Sequence, residues 1–141
     1  MSLRNRFRAF RRRNLSQQAL IVEAGLALLG TWCALRMLPW AWLYRKRAAV
    51  SRGSMSAGSA KQVADLVAST AAALPVVCAC LEQAIVTAWM LRRRGVAALL
   101  VIGAARPDRE FAAHAWVECN GEVVGDAGLA VRYTPLCRLP G

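Results

Sequence analysis

The chain has 141 residues, enough for one domain that buries roughly two thirds of the surface its unfolded form exposes. Hydrophobic residues make up 57% of it and charged residues 19%, which excludes a disordered protein and is apolar for a soluble domain. We therefore expect a partner, a membrane or tight packing to cover part of this apolar surface. Lysine and arginine outnumber aspartate and glutamate by 19 to 8, and the net charge of +11 favours acidic partners.

The basic residues are clustered, but their setting disfavours nucleic acid as the partner. The chain lacks the metal-ligand spacing and the helix-turn-helix signature that are typical of nucleic-acid binders. The clusters are Arg4, Arg6, Arg8, Arg11, Arg12 and Arg13, and then Arg92, Arg93 and Arg94. We expect no nucleic-acid function.

The five cysteines are odd in number and scattered, which is not the pattern of a disulfide framework. Reduced thiols in the cytoplasm are the simpler interpretation. Cys78 and Cys80 form C-x-C, and with a single histidine in the chain a closed four-ligand zinc site is not supported.

Residues 20–43 form a long apolar stretch behind a basic head at residues 1–14. Glu23 and Arg36 lie inside the stretch, and each charge near a bilayer centre costs about 3 kcal/mol. A small-x-small cleavage site is missing, which disfavours a signal peptide. We predict that this arm, residues 1–47, contains a buried or surface-lying helix that packs on the rest of the chain or on a partner. Peripheral membrane contact through residues 20–43, a membrane span and an export signal are the alternatives.

The middle of the chain shows a linker and then two helices. Serine and glycine residues between 48 and 60 predict a linker, which separates the arm from the domain itself at residues 61–141. Apolar residues at helical spacing predict a helix over Lys61 to Leu74 and another over Cys80 to Arg94. Arginines in the last turn and Gly95 beyond it mark the end of the second helix.

Strands follow the helices. Val96 to Ile102 is a short continuous apolar run, and Ala113 to Cys119 alternates, so both are predicted as strands. Asn120-Gly121 is typical of a hairpin turn, and Glu122 to Gly125 is the return strand. Helices followed by antiparallel strands predict an α+β fold.

One cysteine and the single histidine are placed for nucleophilic catalysis. Cys80 begins a helix, where unpaired backbone N–H groups and the helix dipole stabilise negative charge on sulfur and supply oxyanion donors. His114 lies in a strand of otherwise small and apolar residues, and a neutral imidazole near a thiol is the base such a nucleophile needs. Taken singly, a cysteine or a strand histidine is more often a packed core residue. Asp126 follows beyond the hairpin turn and completes a candidate triad.

The face on which Asp126 lies depends on the register of the predicted hairpin. A two-residue loop at Asn120-Gly121 places Asp126 away from the face of the histidine. A three-residue loop that ends in a left-handed Gly121 pairs Glu118 with Glu122 and sets Asp126 opposite the histidine. Because an orienting acid must share the face of its histidine, we predict the three-residue loop.

Together these motifs resemble the transglutaminase-like leader peptidases of lasso-peptide biosynthesis. The motifs are Cys80-Leu81 at a helix start, Leu91 to Gly95 at its end, Val96 to Gly103, His114 to Glu118, and Asp126. The arm, with Glu23-Ala24 and Pro39, also resembles the helical front of that family. The resemblance implies a papain-related α+β core with an N-terminal helical arm. It also implies that Cys80 is the nucleophile, His114 the base and Asp126 the residue that orients the imidazole.

The resemblance further implies partners and a location. Members of that family are intracellular and remove the leader of a ribosomally made precursor peptide, and the core passes to an ATP-dependent macrolactam synthetase. A separate small leader-binding protein presents the substrate in many such pathways, and this chain shows no segment that resembles it. We expect neither a cofactor nor a metal.

Two other functions stay open, and so does the choice of thiol. The same triad would serve a transglutaminase-like amide transferase, and a membrane-tethered binding module with an inert cysteine is the alternative that is not an enzyme. Cys78 is a second candidate nucleophile, but Cys80 is favoured because it begins the helical pattern and precedes Leu81. Packing is the expected role of the remaining cysteines, which are Cys33, Cys119 and Cys137.

Overall fold

The computed structural model of the chain describes residues 15–38, 57–106, 110–125 and 127–140. Its helices are α1 (Leu15–Met37), α2 (Ala57–Ala71), α3 (Cys80–Arg93) and the one-turn α4 (Ala127–Ala130). Its strands are β1 (Ala98–Ala105), β2 (Ala112–Cys119), β3 (Glu122–Val124) and β4 (Thr134–Pro140). The strands form one antiparallel sheet in the order β3-β2-β1-β4, and the mixture of helices with this sheet confirms the α+β class.

Helix α3 begins at the predicted Cys80 and ends one residue before the predicted Arg94. At its C-terminus the N–H of Gly95 donates to Arg92 O at 2.9 Å, and the N–H of Val96 donates to Leu91 O at 3.1 Å. This pair of bonds is a Schellman motif, which requires a left-handed residue, and Gly95 has a φ of 79°. The side chain of Arg92 then donates to Ala98 O at the start of β1, so helix and strand are joined by a fixed turn.

Helix α2 begins earlier than the sequence indicates. Its first residue is Ala57, which lies inside the segment predicted as a linker, and it ends at Ala71 before Pro75. The serine and glycine residues allow this extension because small side chains do not prevent helix formation where packing supports it. Residues 48–56 lie outside the described residues, so the linker itself stays a prediction.

Helix α3 separates two apolar clusters. Toward the sheet, small side chains of α3 pack against β2; these are Ala84 and Ala88 against Ala115, Val117 and Cys119. On its other side α3 packs with α1 and α2 through buried side chains, among them Ala24, Leu28, Val67, Val86 and Met90. Helices α1, α2 and α3 thus form layers over one face of the sheet, and the small residues of the first cluster let α3 lie close to β2.

The N-terminal arm is docked on the rest of the chain. The carboxylate of Glu23 accepts a hydrogen bond from the Arg94 guanidinium at 2.8 Å, and Arg36 lies 3.7 Å from the buried carboxylate of Glu82. Helix α1 is long and apolar enough to cross a membrane by length and composition, a test that core helices and signal sequences also pass. The predicted packing of this arm on the chain is confirmed from residue 15 to residue 38.

The register of the β2–β3 hairpin differs from the predicted one. Cys119 pairs with Glu122 and Glu118 pairs with Val123, so the loop has two residues and the three-residue prediction is wrong. Asn120 has a φ of 53° and Gly121 a φ of 82°, as in a type I′ turn. That turn matches the right-handed twist of the flanking strands, which favours the shorter loop.

Strand β4 and helix α4 are not indicated by the sequence pattern. β4 pairs with β1 at the edge of the sheet, with an irregularity between Ile102 and Gly103. Pro135 and Pro140 obscure it, because proline lacks the N–H that a central strand needs and is tolerated at an edge. α4 is a single turn, which is too short for a periodic pattern.

Candidate active site

Cys80 is the first residue of α3 and is half-buried. The first intrahelical hydrogen bond runs from the N–H of Gln83 to Ala79 O at 3.2 Å. The backbone N–H groups before Gln83 therefore have no acceptor inside the helix and point out of its N-terminal end. Ala79 is the N-cap and has no side chain that could cap them. These donors and the positive end of the helix dipole lie beside the Cys80 sulfur, where an oxyanion would need them.

The turn before Cys80 is held by polar contacts. Gln83 Nε2 donates to Cys78 O at 2.9 Å, which ties the first turn of α3 to the chain that leads into it. Glu82, also in the first turn, is buried and faces Arg36 of the arm. The arm therefore contributes the counter-charge for a carboxylate that lies two residues from the candidate nucleophile.

Cys78 differs from Cys80 in its surroundings. It is buried in the cluster between α1, α2 and α3, with 8% of its surface exposed. Burial raises the pKa of the Cys78 thiol, and the Glu82 carboxylate raises it further against a lowering by Arg36. A neutral, enclosed thiol is a poor nucleophile, so the structure supports the choice of Cys80 over Cys78.

His114 lies near the beginning of β2, on the face turned away from α3. Its ring lies 5.1 Å from that of Tyr133 and is stacked on that of Trp116 at 6.1 Å, measured between centroids. The indole Nε1 of Trp116 donates to Glu118, which also accepts from Arg138. The histidine is thus one member of an aromatic and polar row along this face.

One cleft of about 520 Å³ brings Cys80 and His114 together. It lies between α2, α3 and the first half of β2, and Gly125 after β3 closes one side. β3 pairs only with residues 117–119 of β2, so the segment that carries His114 borders the cleft at an open edge of the sheet. This open edge explains how a residue at the start of α3 and a histidine on the far face of β2 line the same space.

Asp126, the third predicted member, lies outside the described residues. The two-residue register taken alone would place it on the face away from His114. The ladder ends at Val124, however, and Gly125 has a φ of 98°, which takes the chain out of the strand. The strand register therefore does not fix the direction of Asp126, and its role stays a prediction.

Three polar residues of the cleft are not among those predicted. Gln83 and Thr87 lie three and seven residues after Cys80, so helical periodicity from the cysteine would have placed them on its face. Thr87 is buried, so its hydroxyl is an enclosed polar group in the α3 wall of the cleft. Asp65 lines the opposite wall on α2 and pairs with Lys61 at 2.8 Å. Nothing in the sequence pattern near Asp65 points to the cleft.

The remaining cysteines divide into two kinds. Cys119 is buried against α3, so its expected packing role is confirmed. Burial raises the pKa of its thiol, and the nearby Arg92 lowers that pKa by a smaller amount. Cys33 and Cys137 are exposed, so the packing expectation is wrong for them. Within the described part of the chain, no group of three or more His, Cys, Asp and Glu side chains could hold a metal ion.

Comparison with known protein families finds a match over most of the chain. The family model of the Transglutaminase-like superfamily (Transglut_core3) matches residues 25–138 of the 141, starting inside α1 and ending in β4. No curated protein and no solved structure matches the chain. Members of this superfamily are commonly cysteine peptidases or transferases, and a cysteine at a helix start that shares a cleft with a histidine is consistent with either activity. The chain belongs to the transglutaminase-like superfamily.

Proposed function

We propose that this protein is a cysteine peptidase with a papain-related core that cleaves the leader from a lasso-peptide precursor. The observation that carries the proposal is a cleft lined both by Cys80, at the N-terminus of α3, and by His114 on β2. The superfamily supports cysteine chemistry in general. The motifs that resemble lasso leader peptidases, from Cys80-Leu81 to His114-Ala115-Trp116, support the narrower substrate.

The proposed reaction has two steps. His114 accepts the proton of the Cys80 thiol, and the thiolate attacks the carbonyl carbon at the leader–core junction to form a tetrahedral oxyanion. Backbone N–H groups at the start of α3 stabilise that oxyanion. The imidazolium then protonates the leaving amine of the core, and a thioester to the leader remains. Water deprotonated by His114 hydrolyses the thioester and regenerates the thiol.

The aromatic row on β2 supports the histidine in this scheme. Trp116 and Tyr133 flank the His114 ring, so they limit its rotation and shield one side of it from water. Asp126 is proposed to accept a hydrogen bond from the other ring nitrogen and hold the imidazole for the reaction. No cofactor takes part in these steps.

The proposed setting follows from the substrate. A cytoplasmic precursor peptide would be presented by a separate leader-binding protein, and an ATP-dependent macrolactam synthetase would consume the released core. A short precursor gene and a synthetase gene beside this one would be the expected genomic context.

The test uses the full chain and the precursor peptide encoded beside its gene, with and without the neighbouring leader-binding protein. In water labelled with heavy oxygen, mass spectrometry should find leader and core as separate peptides, with label in the new leader carboxylate. A new amide in the presence of an added primary amine, without labelled carboxylate, would instead identify an amide transferase. If neither product forms and Cys80→Ala behaves as the unaltered protein in every assay, the chain is a binding module.

A further inference from the structure

Helix α1 presents an uncharged stripe to solvent along its whole length. The stripe consists of Leu15, Ala19, Val22, Leu26, Gly30, Cys33 and Met37, all exposed and spaced by three or four residues. Leu15 and Met37 at the two ends are each 84% exposed, and Leu26 near the middle is 66% exposed. A continuous exposed apolar stripe of this kind marks an interaction surface rather than ordinary surface leucines.

Neither charged residue of α1 belongs to this stripe, and both pair with the domain. Glu23 pairs with Arg94 at 2.8 Å and with Arg93 at 3.6 Å. Arg36 pairs with Glu82 at 3.7 Å, and its guanidinium lies 4.0 Å from the centroid of the Trp32 ring. Glu23 is therefore directed to the domain, and the half-exposed Arg36 is paired with a buried carboxylate of the domain, so the stripe itself carries no charge.

These same pairs determine how the helix could meet a bilayer. A transmembrane orientation would separate Glu23 and Arg36 from their partners on α3 and place both charges in hydrocarbon. A helix that lies in the membrane plane keeps every one of these pairs and buries only the stripe.

The charge of the chain selects the kind of surface. Six arginines occur between residues 4 and 13, directly before the first residue of α1, in a chain of net charge +11. Basic residues beside an interfacial helix gain roughly 1 kcal/mol each at an anionic lipid surface. A second copy of the chain would bring the same positive charge and would be repelled.

We propose that α1 binds in the plane of an anionic lipid bilayer through this stripe. The proposal is independent of the proposed catalytic function, since it places the protein at a membrane surface whatever the cleft does.

The experiment is co-sedimentation of the full chain with vesicles of phosphatidylcholine containing phosphatidylglycerol, compared with phosphatidylcholine alone. Val22→Glu with Leu26→Glu introduces two charges into the stripe. Val131→Glu with Leu136→Glu is the matched control, because both positions are exposed and apolar but lie outside α1. Each double variant lowers the net charge by the same amount, so general electrostatic attraction falls equally in both.

We expect binding to the anionic vesicles that weakens as salt is raised, because salt screens the attraction to the lipid headgroups. The stripe variant should lose roughly tenfold or more in partitioning relative to the control variant, since burial of two aliphatic side chains supplies that difference. Melting temperatures measured by circular dichroism should be unchanged, because the substituted positions are exposed.

Several results would overturn the proposal. Equal binding by the stripe variant and the control would leave only general electrostatic attraction, and equal binding to neutral vesicles would remove the anionic requirement. A lipid-free dimer that the stripe variant alone dissociates, seen by sedimentation velocity, would assign the stripe to a second copy. Failure of the unaltered protein to sediment with any vesicle would remove the membrane altogether.

Discussion

The two faces of β2 make different contacts although their residues alternate along a single strand. Ala115, Val117 and Cys119 face α3, where they are buried and make only packing contacts in the apolar cluster. On the other face His114, Trp116 and Glu118 form a row linked by ring stacking and hydrogen bonds. Substitutions on the packed face should therefore lower stability, and substitutions on the polar face should lower activity.

The largest loss of activity is expected from substitution of the two cleft residues Cys80 and His114. Cys80→Ala and His114→Ala should each reduce the proposed leader cleavage by on the order of 10³-fold or more, because the proposed nucleophile and base would act as one unit. Cys119→Ala is the matched change on the packed face of the same strand. It should retain most activity and lose about 1 kcal/mol of stability. Cleavage rates by mass spectrometry and urea unfolding separate the two effects.

The comparison of faces would fail if Cys119→Ala lost cleavage while remaining folded, or if His114→Ala kept it. Asp126→Asn tests the third proposed member in the same assay. A large loss of activity with unchanged unfolding would support an orienting role for Asp126, and near-normal activity would leave Cys80 and His114 as a dyad.

A second substitution disturbs the polar face without touching a reacting group. Gly103 pairs with His114 across β1 and β2, and a Cβ atom at Gly103 would lie 2.6 Å from Trp116 Cη2 and 2.8 Å from Thr134 O. Gly103→Ala must therefore displace the indole that stacks on the histidine. We expect cleavage to fall by roughly ten- to a hundredfold, since small misplacements of a catalytic group have effects of that size.

Gly30→Ala is the control for this change. Gly30 lies in α1, and a Cβ atom at this position would meet nothing within 4 Å. Alanine there should leave cleavage unchanged and raise stability by up to about 1 kcal/mol, because alanine has the higher helix propensity. Normal cleavage by Gly103→Ala would show that the stacking of Trp116 does not position the histidine.

The reactivity of the thiols at different pH values compares the buried Cys78 and Cys119 with Cys80 in the cleft. Burial raises the pKa of Cys78 and of Cys119, so their thiolates form only above the usual pH range of cysteine. Iodoacetamide labelling of the folded protein, mapped by peptide mass spectrometry, should modify Cys80 while these two remain protected, and they should react only as the pH is raised. Because folding raises both pKa values, their contribution to stability is complete below the pKa of the unfolded thiols and is lost as the pH rises through the folded value. Labelling of Cys78 before Cys80 would reverse the assignment of the nucleophile.

Local signals in the sequence predict the elements that local physics determines. The end of α3 shortly before Gly95 follows from a left-handed cap, and its start at Cys80 follows from helical periodicity, so both can be placed in advance to within a residue. The hairpin cannot. Asn120-Gly121 is compatible with loops of two or three residues. The three-residue loop is predicted because a catalytic triad would need Asp126 and His114 on one face. Strand twist favours the two-residue loop, which is the one observed. β4 and the cleft residue Asp65 depend on packing between distant segments, which no local pattern encodes.

The smallest effect is expected at the hairpin, where only backbone conformation is tested. Gly121 has a φ of 82° and a Cβ atom there would meet nothing within 4 Å, so a side chain at this position is opposed by conformation and not by space. Gly121→Val should destabilise the fold by about 1–2 kcal/mol, because a β-branched residue resists the left-handed region. Gly121→Asn should lose distinctly less, since asparagine tolerates that region and occupies it already at position 120. Urea unfolding of both variants measures the difference, and equal stabilities would mean that the two-residue loop does not hold the end of β2 in register. Gly125, which borders the cleft, and Asp126 follow this hairpin directly. If Gly121→Val loses more cleavage than its fraction of unfolded protein explains, the conformation of the turn affects the cleft as well as the stability of the fold.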